Sequence, residues 1–430
     1  MKPLITALFL VLSITLAHAQ APVSVSIRDA SATFPETKRR CGTTALHQFH
    51  ELTDPGYTQR RAHLNAQTQQ WISDYGQRKT ANVVTIPVVV HVVYNGNVQN
   101  VSDAQIQSQM DALNRDFRRQ NADTTNTPSD FASIVADTRI EFCLASVDPN
   151  GAPTNGITRT STTTSEIGDA GVHYTAQGGK DGWNPNAYMN IWVCEIASGG
   201  DILGYATPPG MASPAEDGVV IDYRYFGTIG TAQAPFNMGR TGTHEVGHYL
   251  NLEHIWGLNG GCGDDDLVAD TPMQEYDYSG CPSHPSASCN SNDMFMNYMD
   301  YVDDNCMNSF SQGQANRMTA ALNGPRASLL TSAGCGGGVV SAEAGILREG
   351  SVRIGPNPAR GMTMVKIDLP AARDIDLSVY NLLGQRMSKH SYGNVQKREI
   401  PLNLGNMANG LYLVEVRAGN KKMVKRLVVQ

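Results

Sequence analysis

The chain is 430 residues long, 41% hydrophobic and 17% charged, with a formal net charge of -7. That length implies about two or three folded domains, and the composition excludes a wholly disordered protein. The acidic balance offers no basic footprint, so nucleic acid is not an expected partner.

In chain order the first feature is an address. Lys2 precedes an apolar run over residues 4–16, and Ala17-His18-Ala19 has the small-x-small form that a signal peptidase cuts. The run is too short to span a membrane, so residues 1–19 are expected to be a signal peptide and the mature protein to carry no transmembrane segment. Export makes disulfides the first reading of the eight cysteines. Cys41 stands apart, in Lys38-Arg39-Arg40-Cys41-Gly42-Thr43, within a stretch that has no strand pattern of its own. A thiolate is a good zinc ligand, and the flanking arginines are expected to lower its pKa. The competing reading is half of an ordinary disulfide. Arg78-Lys79 offers a cleavable basic pair just before the first strand.

Residues 83–94, VVTIPVVVHVVY, are β-branched and apolar throughout, as in a strand buried on both faces. Ser102-Asp103-Ala104-Gln105 has capping-box form, after which Ile106, Met110, Leu113 and Phe117 line one helical face as core. Strands are expected over 140–146, 189–196 and 219–225, before a helix starting near Thr241. His91 and His173 are read as structural.

That helix carries HEVGHYLNLEH, residues 244–254. His244 and His248, four apart, share one helical face where both reach a single zinc, and Glu245 between them can hold a water against it. His254 falls off that face, so the helix must stop and the chain turn near Asn251. Three ligands and one open position mark a catalytic zinc. In this reading Glu245 deprotonates the water, the hydroxide attacks a carbonyl polarised by the metal, and Glu245 passes the proton to the leaving amine.

Beyond the helix, Asp264, Asp265, Asp266 and Asp270 put four carboxylates into a short loop with Thr271 beside them. Oxygen-rich loops of this kind suit Ca2+, although no EF-hand pattern is present; a solvated acidic loop is the alternative. Cys262, Cys281, Cys289 and Cys306 lie in the same stretch, and four cysteines permit three connectivities. Cys143, Cys194 and Cys335 are left without an assigned pair. Met296-Asn297-Tyr298-Met299-Asp300-Tyr301 then places a methionine in a compact turn, two residues before a tyrosine, with Asp303 and Asp304 following. Gly336-Gly337-Gly338 opens a linker over 336–349. After it, PNPA at 356–359 and residues 377–385, 411–416 and 422–429 alternate like short strands between turns, the pattern of a small β-sandwich.

The zinc helix and the methionine turn together resemble the metzincins and, within them, the pappalysin family, whose helix reads close to HEVGHxLGLxH and whose turn reads close to NYMDY. The resemblance spans residues 83–335. It implies an α+β protein: a metzincin-type catalytic domain over 80–335, a twisted mixed sheet plus helices, followed by the small C-terminal β-sandwich. It also implies a secreted zinc-dependent endopeptidase acting on proteins or peptides. In that family picture Tyr301 stabilises the oxyanion and Met299 floors the metal. Cys262 pairs with Cys289 and Cys281 with Cys306, and Asp265, Asp266, Asp270 and Thr271 surround Ca2+. Asp303 and Asp304 form a wall that favours Arg or Lys just after the scissile bond. Pro-segments of related metalloproteases use an RCG-like cysteine to fill the open zinc position. By that resemblance residues 20–79 are a pro-segment, Cys41 is the fourth ligand of a latent zymogen, and Arg78-Lys79 is its cleavage site. The family has glycine where this chain has Asn251; the turn needs a left-handed residue, and asparagine is the next most tolerant.

The order PNPA, VYNLLGQ, NGLYLVEV and a basic-apolar end resembles the C-terminal sorting domain of type IX secretion, over residues 350–430. It implies the secretion machinery as a partner and the cell surface or exterior as destination; a carbohydrate-binding sandwich is the rival. The alternative to an enzyme is a catalytically silent binding protein on the same scaffold. Such relatives lose the base or a ligand, whereas Glu245 and all three histidines are present.

Overall fold

A computed structural model describes residues 39–76, 82–196, 202–210, 213–335, 351–381, 385–405, 407–418 and 421–430. The expected leader, the Arg78-Lys79 pair and the linker over 336–349 lie outside them.

The β-branched run forms β1 (Val84–Tyr94), the spine of a mixed sheet. β2 (Ile140–Leu144) pairs with its first half and β3 (Ile157–Ser161) with its second, while β4 (Met189–Cys194) lies along the other edge, all parallel. The sheet continues through β6 (Gly218–Asp222), parallel to β4, to a short antiparallel edge strand, β5 (Gly204–Ala206). Successive β1 residues face opposite sides of the sheet. Ile86, Val88, Val90 and Val92 join one core with the apolar stripe of α3 (Asp103–Phe117) and with Val246 and Tyr249 of α5 (Arg240–Tyr249). Val93 faces the other way, into a cluster with Trp192, Tyr205, Val220 and Ile167 of the single-turn α4 (Ile167–Ala170). Cover on both faces is why β1 shows no polar alternation.

The capping box of α3 is half made. Ser102 Oγ accepts from Gln105 N at 3.1 Å, but the Gln105 amide turns away to Phe226 O and Thr231 Oγ1, both at 2.8 Å, and ties α3 to the loop ahead of α5.

Two helices that the sequence pattern did not announce precede β1: α1 (Thr43–Thr53) and α2 (Tyr57–Tyr75). The buried stripe of α2 is Tyr57, Arg61, Leu64 and Thr68, so half of its inward face is polar. It rests on α6 (Gln312–Asn323). Ahead of α1 the chain lies along β5, with Leu203 N donating to Arg40 O at 3.0 Å and Gly42 N to Gly204 O at 2.9 Å, and so covers an unpaired sheet edge. We call residues 39–76 the N-terminal arm.

Cys143 on β2 is joined to Cys335, while Cys262–Cys289 and Cys281–Cys306 staple the loops around a small hairpin, β7 (Ala287–Ser288) and β8 (Ser291–Asn292). Cys194 is buried in β4.

The C-terminal strands β9 (Val352–Gly355), β10 (Met362–Tyr380), β11 (Arg386–Asn403), β12 (Gly410–Ala418) and β13 (Lys421–Val429) form a separate antiparallel sheet. β11 covers one edge of the long β10; β9 and β12 share the other. A bridge from Ala359 to Val429 brings the far end round, so the sheet bends sandwich-like over its own core of Val352, Val365, Ile367, Leu377, Val414, Val416 and Leu427. The PNPA segment bends between β9 and β10 and adds no strand of its own.

Behind the main sheet, His91 sits between Thr158 Oγ1 at 2.7 Å and Asn190 Oδ1 at 3.0 Å, and His173 stands edge-to-face with Trp192, ring centroids 4.5 Å apart. Burial holds His91 down to about 4 and His173 down to about 3, against an ordinary value of 6.5. Both are neutral in the fold and take up a proton on unfolding, so their contribution is complete above pH 6.5 and is lost on acidification. We expect urea unfolding to lose about 1.4 kcal/mol per pH unit for each histidine between those limits, and His173→Phe to flatten part of that slope. An unchanged slope in the variant would remove His173 from this account.

Candidate active site

All ten residues of α5 are buried, which fixes His244, Glu245 and His248 against a dry wall. The helix stops at Tyr249, and Asn251 takes φ +76°. That left-handed step reverses the chain and returns His254 to the other two histidines. Their Nε2 atoms stand 3.0 to 3.2 Å apart. The outer nitrogens face acceptors: His244 Nδ1 lies 2.7 Å from Tyr298 O, His248 Nδ1 2.8 Å from Leu252 O, and His254 Nδ1 3.3 Å from Thr44 Oγ1. A carbonyl can only accept, so His244 and His248 carry their protons on Nδ1 and turn bare lone pairs inward. Burial, ahead of all other causes, holds all three well below the ordinary histidine range. Three converging neutral donors repel one another unless a cation lies among them, and this donor set suits zinc.

Met299 packs beneath the helix: a Cβ on Gly247 would meet its Sδ at 2.5 Å, so only glycine lets the methionine turn approach. Trp256 stacks on His254 with ring centroids 4.6 Å apart, and Tyr301 presents its edge to both rings.

The N-terminal arm enters this centre. Cys41, His244, His248 and His254 bring their donor atoms within 4.8 Å of one another, the one such group of His, Cys, Asp or Glu side chains among the described residues. The Cys41 thiol donates to Glu245 Oε2 at 3.2 Å, Thr43 Oγ1 to the same oxygen at 3.4 Å, and Cys41 N to Tyr301 Oη at 3.3 Å. Burial pushes Glu245 up to about 8, opposed by Cys41, Arg39 and Thr43. The Cys41 thiol is raised as well, by burial first and the Glu245 carboxylate second. This corrects the expectation that flanking arginines lower it. Arg39 points instead to Asp304, and its guanidinium lies 4.9 Å from the Phe236 ring centre.

Asp304 is fully buried and also accepts from Met238 N at 2.7 Å and Arg240 N at 3.3 Å, at the start of α5. Asp303 is half-buried and is reached by the Arg39 charge, while the ion pair itself is made by Asp304. The acidic loop does not form one cage. Asp265 caps Leu267 N at 2.8 Å, Asp264 takes Leu258 N and Asn259 N, and Asp270 takes Ser311 Oγ and Gly313 N at the start of α6. Asp266 differs. It accepts from Val268 N at 3.1 Å and Thr271 Oγ1 at 2.8 Å through Oδ1, while its buried Oδ2 has no hydrogen-bond partner.

Residues 174–323 match the family described as pregnancy-associated plasma protein-A, and residues 353–430 match the secretion system C-terminal sorting domain. An extracellular metalloprotease of Arthroderma benhamiae is 33% identical over 251 residues, covering 57% of this chain and 79% of that relative. A mutant of Tannerella forsythia promirolysin superposes with TM-score 0.63 at 45% identity, over 68% of this chain and 97% of that one. The chain belongs to the pappalysin family. Mature Tannerella forsythia mirolysin, solved with a cleaved peptide, gives TM-score 0.56 at 50% identity, over 58% of this chain and 97% of that one. This pappalysin is therefore a metalloendopeptidase, and its sorting domain marks it for secretion or display at the cell surface.

The sequence reading missed Thr43, Thr44, Trp256 and Arg240 of the pappalysin site, and it set Arg39 beside Cys41 where the fold pairs it with Asp304. Arg240 is held bidentate by Asp123 at 2.6 and 2.8 Å, lies 3.6 Å from Asp116, and donates to the carbonyls of Asp304 and Met307. It carries no motif, because its partners are distant in sequence. We expect Arg240→Met to cost about 3–5 kcal/mol in urea unfolding, since it strands buried carboxylates and carbonyls together. A loss below about 1 kcal/mol would show that the pairs merely offset their own desolvation.

Proposed function

We propose that this enzyme is a zinc endopeptidase made as a latent precursor, with a signal peptide at 1–19, a pro-segment over 20–79, a catalytic domain over 80–335, a linker over 336–349 and a sorting module over 350–430. The observation that carries it is the convergence of Cys41, His244, His248 and His254 on one point beside Glu245. His244, His248 and His254 would hold the zinc, and Cys41 would fill its remaining position in the precursor. When bound, zinc supplies a Lewis acid that polarises a scissile carbonyl and acidifies a water.

Loss of the arm removes the two donors on Glu245 Oε2, Cys41 Sγ and Thr43 Oγ1. That oxygen is then free to accept a proton from water and to hand it to the departing amine. Taking a proton from water and returning it to the leaving group is the paired general-base and general-acid role of a single carboxylate. The Tyr301 hydroxyl, which accepts from Cys41 N in the precursor, becomes available to donate to the oxyanion of the tetrahedral state. Met299 keeps the floor of the site apolar and rigid.

Arg39 fills the place of a substrate side chain, with its guanidinium on Asp304. This supports Asp304, more than Asp303, as the carboxylate that selects Arg or Lys just after the scissile bond. Ca2+ at Asp266 and Thr271 is supported by the unpartnered buried Asp266 oxygen. Asp265 and Asp270, already engaged, are weaker ligands for it. The C-terminal sheet would engage the type IX machinery.

Glu245→Ala should retain one equivalent of zinc by elemental analysis while peptide hydrolysis falls at least about 1,000-fold; near-normal turnover would reject the shuttle. In a cleavage profile, Asp304→Asn should lower the preference for basic residues after the scissile bond by about 100-fold, with Asp303→Asn close to wild type. The reverse order would exchange their roles.

A further inference from the structure

We infer that Pro209, Asn251 and Glu253 form a second guanidinium site, beside the metal centre and distinct from Asp304. It holds the arm through Arg61 in the precursor and is open to an arginine of a bound peptide once the arm has gone. The inference rests on reading residues 39–76 as part of a removable pro-segment.

Arg61 projects from the middle of α2 and is buried, 7% exposed. Its Nη1 donates to Pro209 O at 2.9 Å and to Asn251 Oδ1 at 3.0 Å, and its Nη2 to Glu253 Oε1 at 2.6 Å. Three acceptors from separate points of the catalytic domain thus meet one planar fork, whose spread of donors suits them better than the compact ammonium of lysine. The site is braced from behind, since Arg317 Nε donates to Asn251 O at 2.6 Å. It also accounts for Asn251 itself. At φ +76° glycine would be free of strain, but glycine offers no Oδ1 for Arg61.

The arm shows where this site lies along the cleft. Arg39 meets Asp304, Cys41 meets Glu245 and the histidines, Thr44 meets His254, and His47 comes within 3.7 Å of Glu253. The chain therefore passes from one carboxylate, across the metal centre, to the other. Asp304 and Glu253 are met by the arm before and after it crosses the centre, and each is matched with an arginine.

The test uses the full-length precursor and the naturally matured enzyme. In Arg61→Ala precursor, amide exchange over residues 57–75 should accelerate on the order of 10- to 100-fold, while α1 keeps its protection. Sub-denaturing guanidinium should restore the protection, tetramethylammonium at equal concentration should not, and Arg61→Ala combined with Glu253→Gln should not respond. Unchanged exchange in Arg61→Ala, or equal action of the two cations, overturns the site. In the mature enzyme, an arginine scanned along the peptide on the side of the scissile bond away from Asp304 should raise kcat/KM about tenfold over norleucine at one position. Glu253→Gln should abolish that gain and Asp304→Asn should keep it. No gain at any position overturns the peptide role. If instead Cys41→Ala precursor is as inactive as wild type, the latency reading fails while the guanidinium rescue still judges the site.

Discussion

Three imidazole nitrogens 3.0 to 3.2 Å apart, those of His244 and His248 with their lone pairs turned inward, are the constraint on which the catalytic domain is built. Such an arrangement is unfavourable without a cation, and it forms only if each ring is gripped from outside. The grips explain the surrounding chain. Tyr298 O, which orients His244, belongs to the methionine turn, and Leu252 O, which orients His248, belongs to the turn set by Asn251. The methionine turn in turn requires a bare Gly247 on the helix. Helix end, reversal and methionine turn are thus one device for aiming nitrogens, and the sheet behind them supplies the rigid wall.

What could be read from the sequence was what is local and chemically uniform. The stripe Ile106, Met110, Leu113, Phe117 announced α3 because every member is apolar, and the spacing of His244, His248 and His254 required a turn that Asn251 makes at φ +76°. The stripe of α2 stayed silent because Arg61 and Thr68 sit in it. A buried arginine is intelligible only beside its partner, and Glu253 is 192 positions away. The bond between Cys143 and Cys335 is likewise a fact of topology, with 192 positions between its ends. Sequence proximity misled in two places. Arg39 neighbours Cys41 in the chain but serves Asp304, so the thiol rises where a fall was expected. The acidic run looked like one cage, yet Asp264, Asp265 and Asp270 each satisfy a nearby turn or helix end, because a carboxylate takes the closest N–H or hydroxyl.

On the reading of residues 39–76 as part of a pro-segment, the chemistry of the arm bears on how it can leave. Its buried side chains include Arg39, Thr43, His47, Arg61 and Thr68 beside the apolar Tyr57 and Leu64. The main apolar core behind the metal centre is assembled from residues after position 83, with no member from the arm among the described residues. Withdrawal therefore costs that core little, and the apolar contacts it breaks include those of Ala45 and Leu46 with the smaller cluster around Trp192 and Tyr205. The polar contacts that break are ion pairs and hydrogen bonds whose attraction is largely offset by desolvation, so they fix register tightly while adding modest net affinity. Freed Asp304 and Glu253 can rehydrate at once. An arm seated through leucines would block the cleft as completely, but its removal would expose apolar surface that only refolding or aggregation could cover. On the pro-segment reading, a largely polar seat lets one catalytic domain be sealed by the arm and freed from it mainly by the rehydration of polar groups.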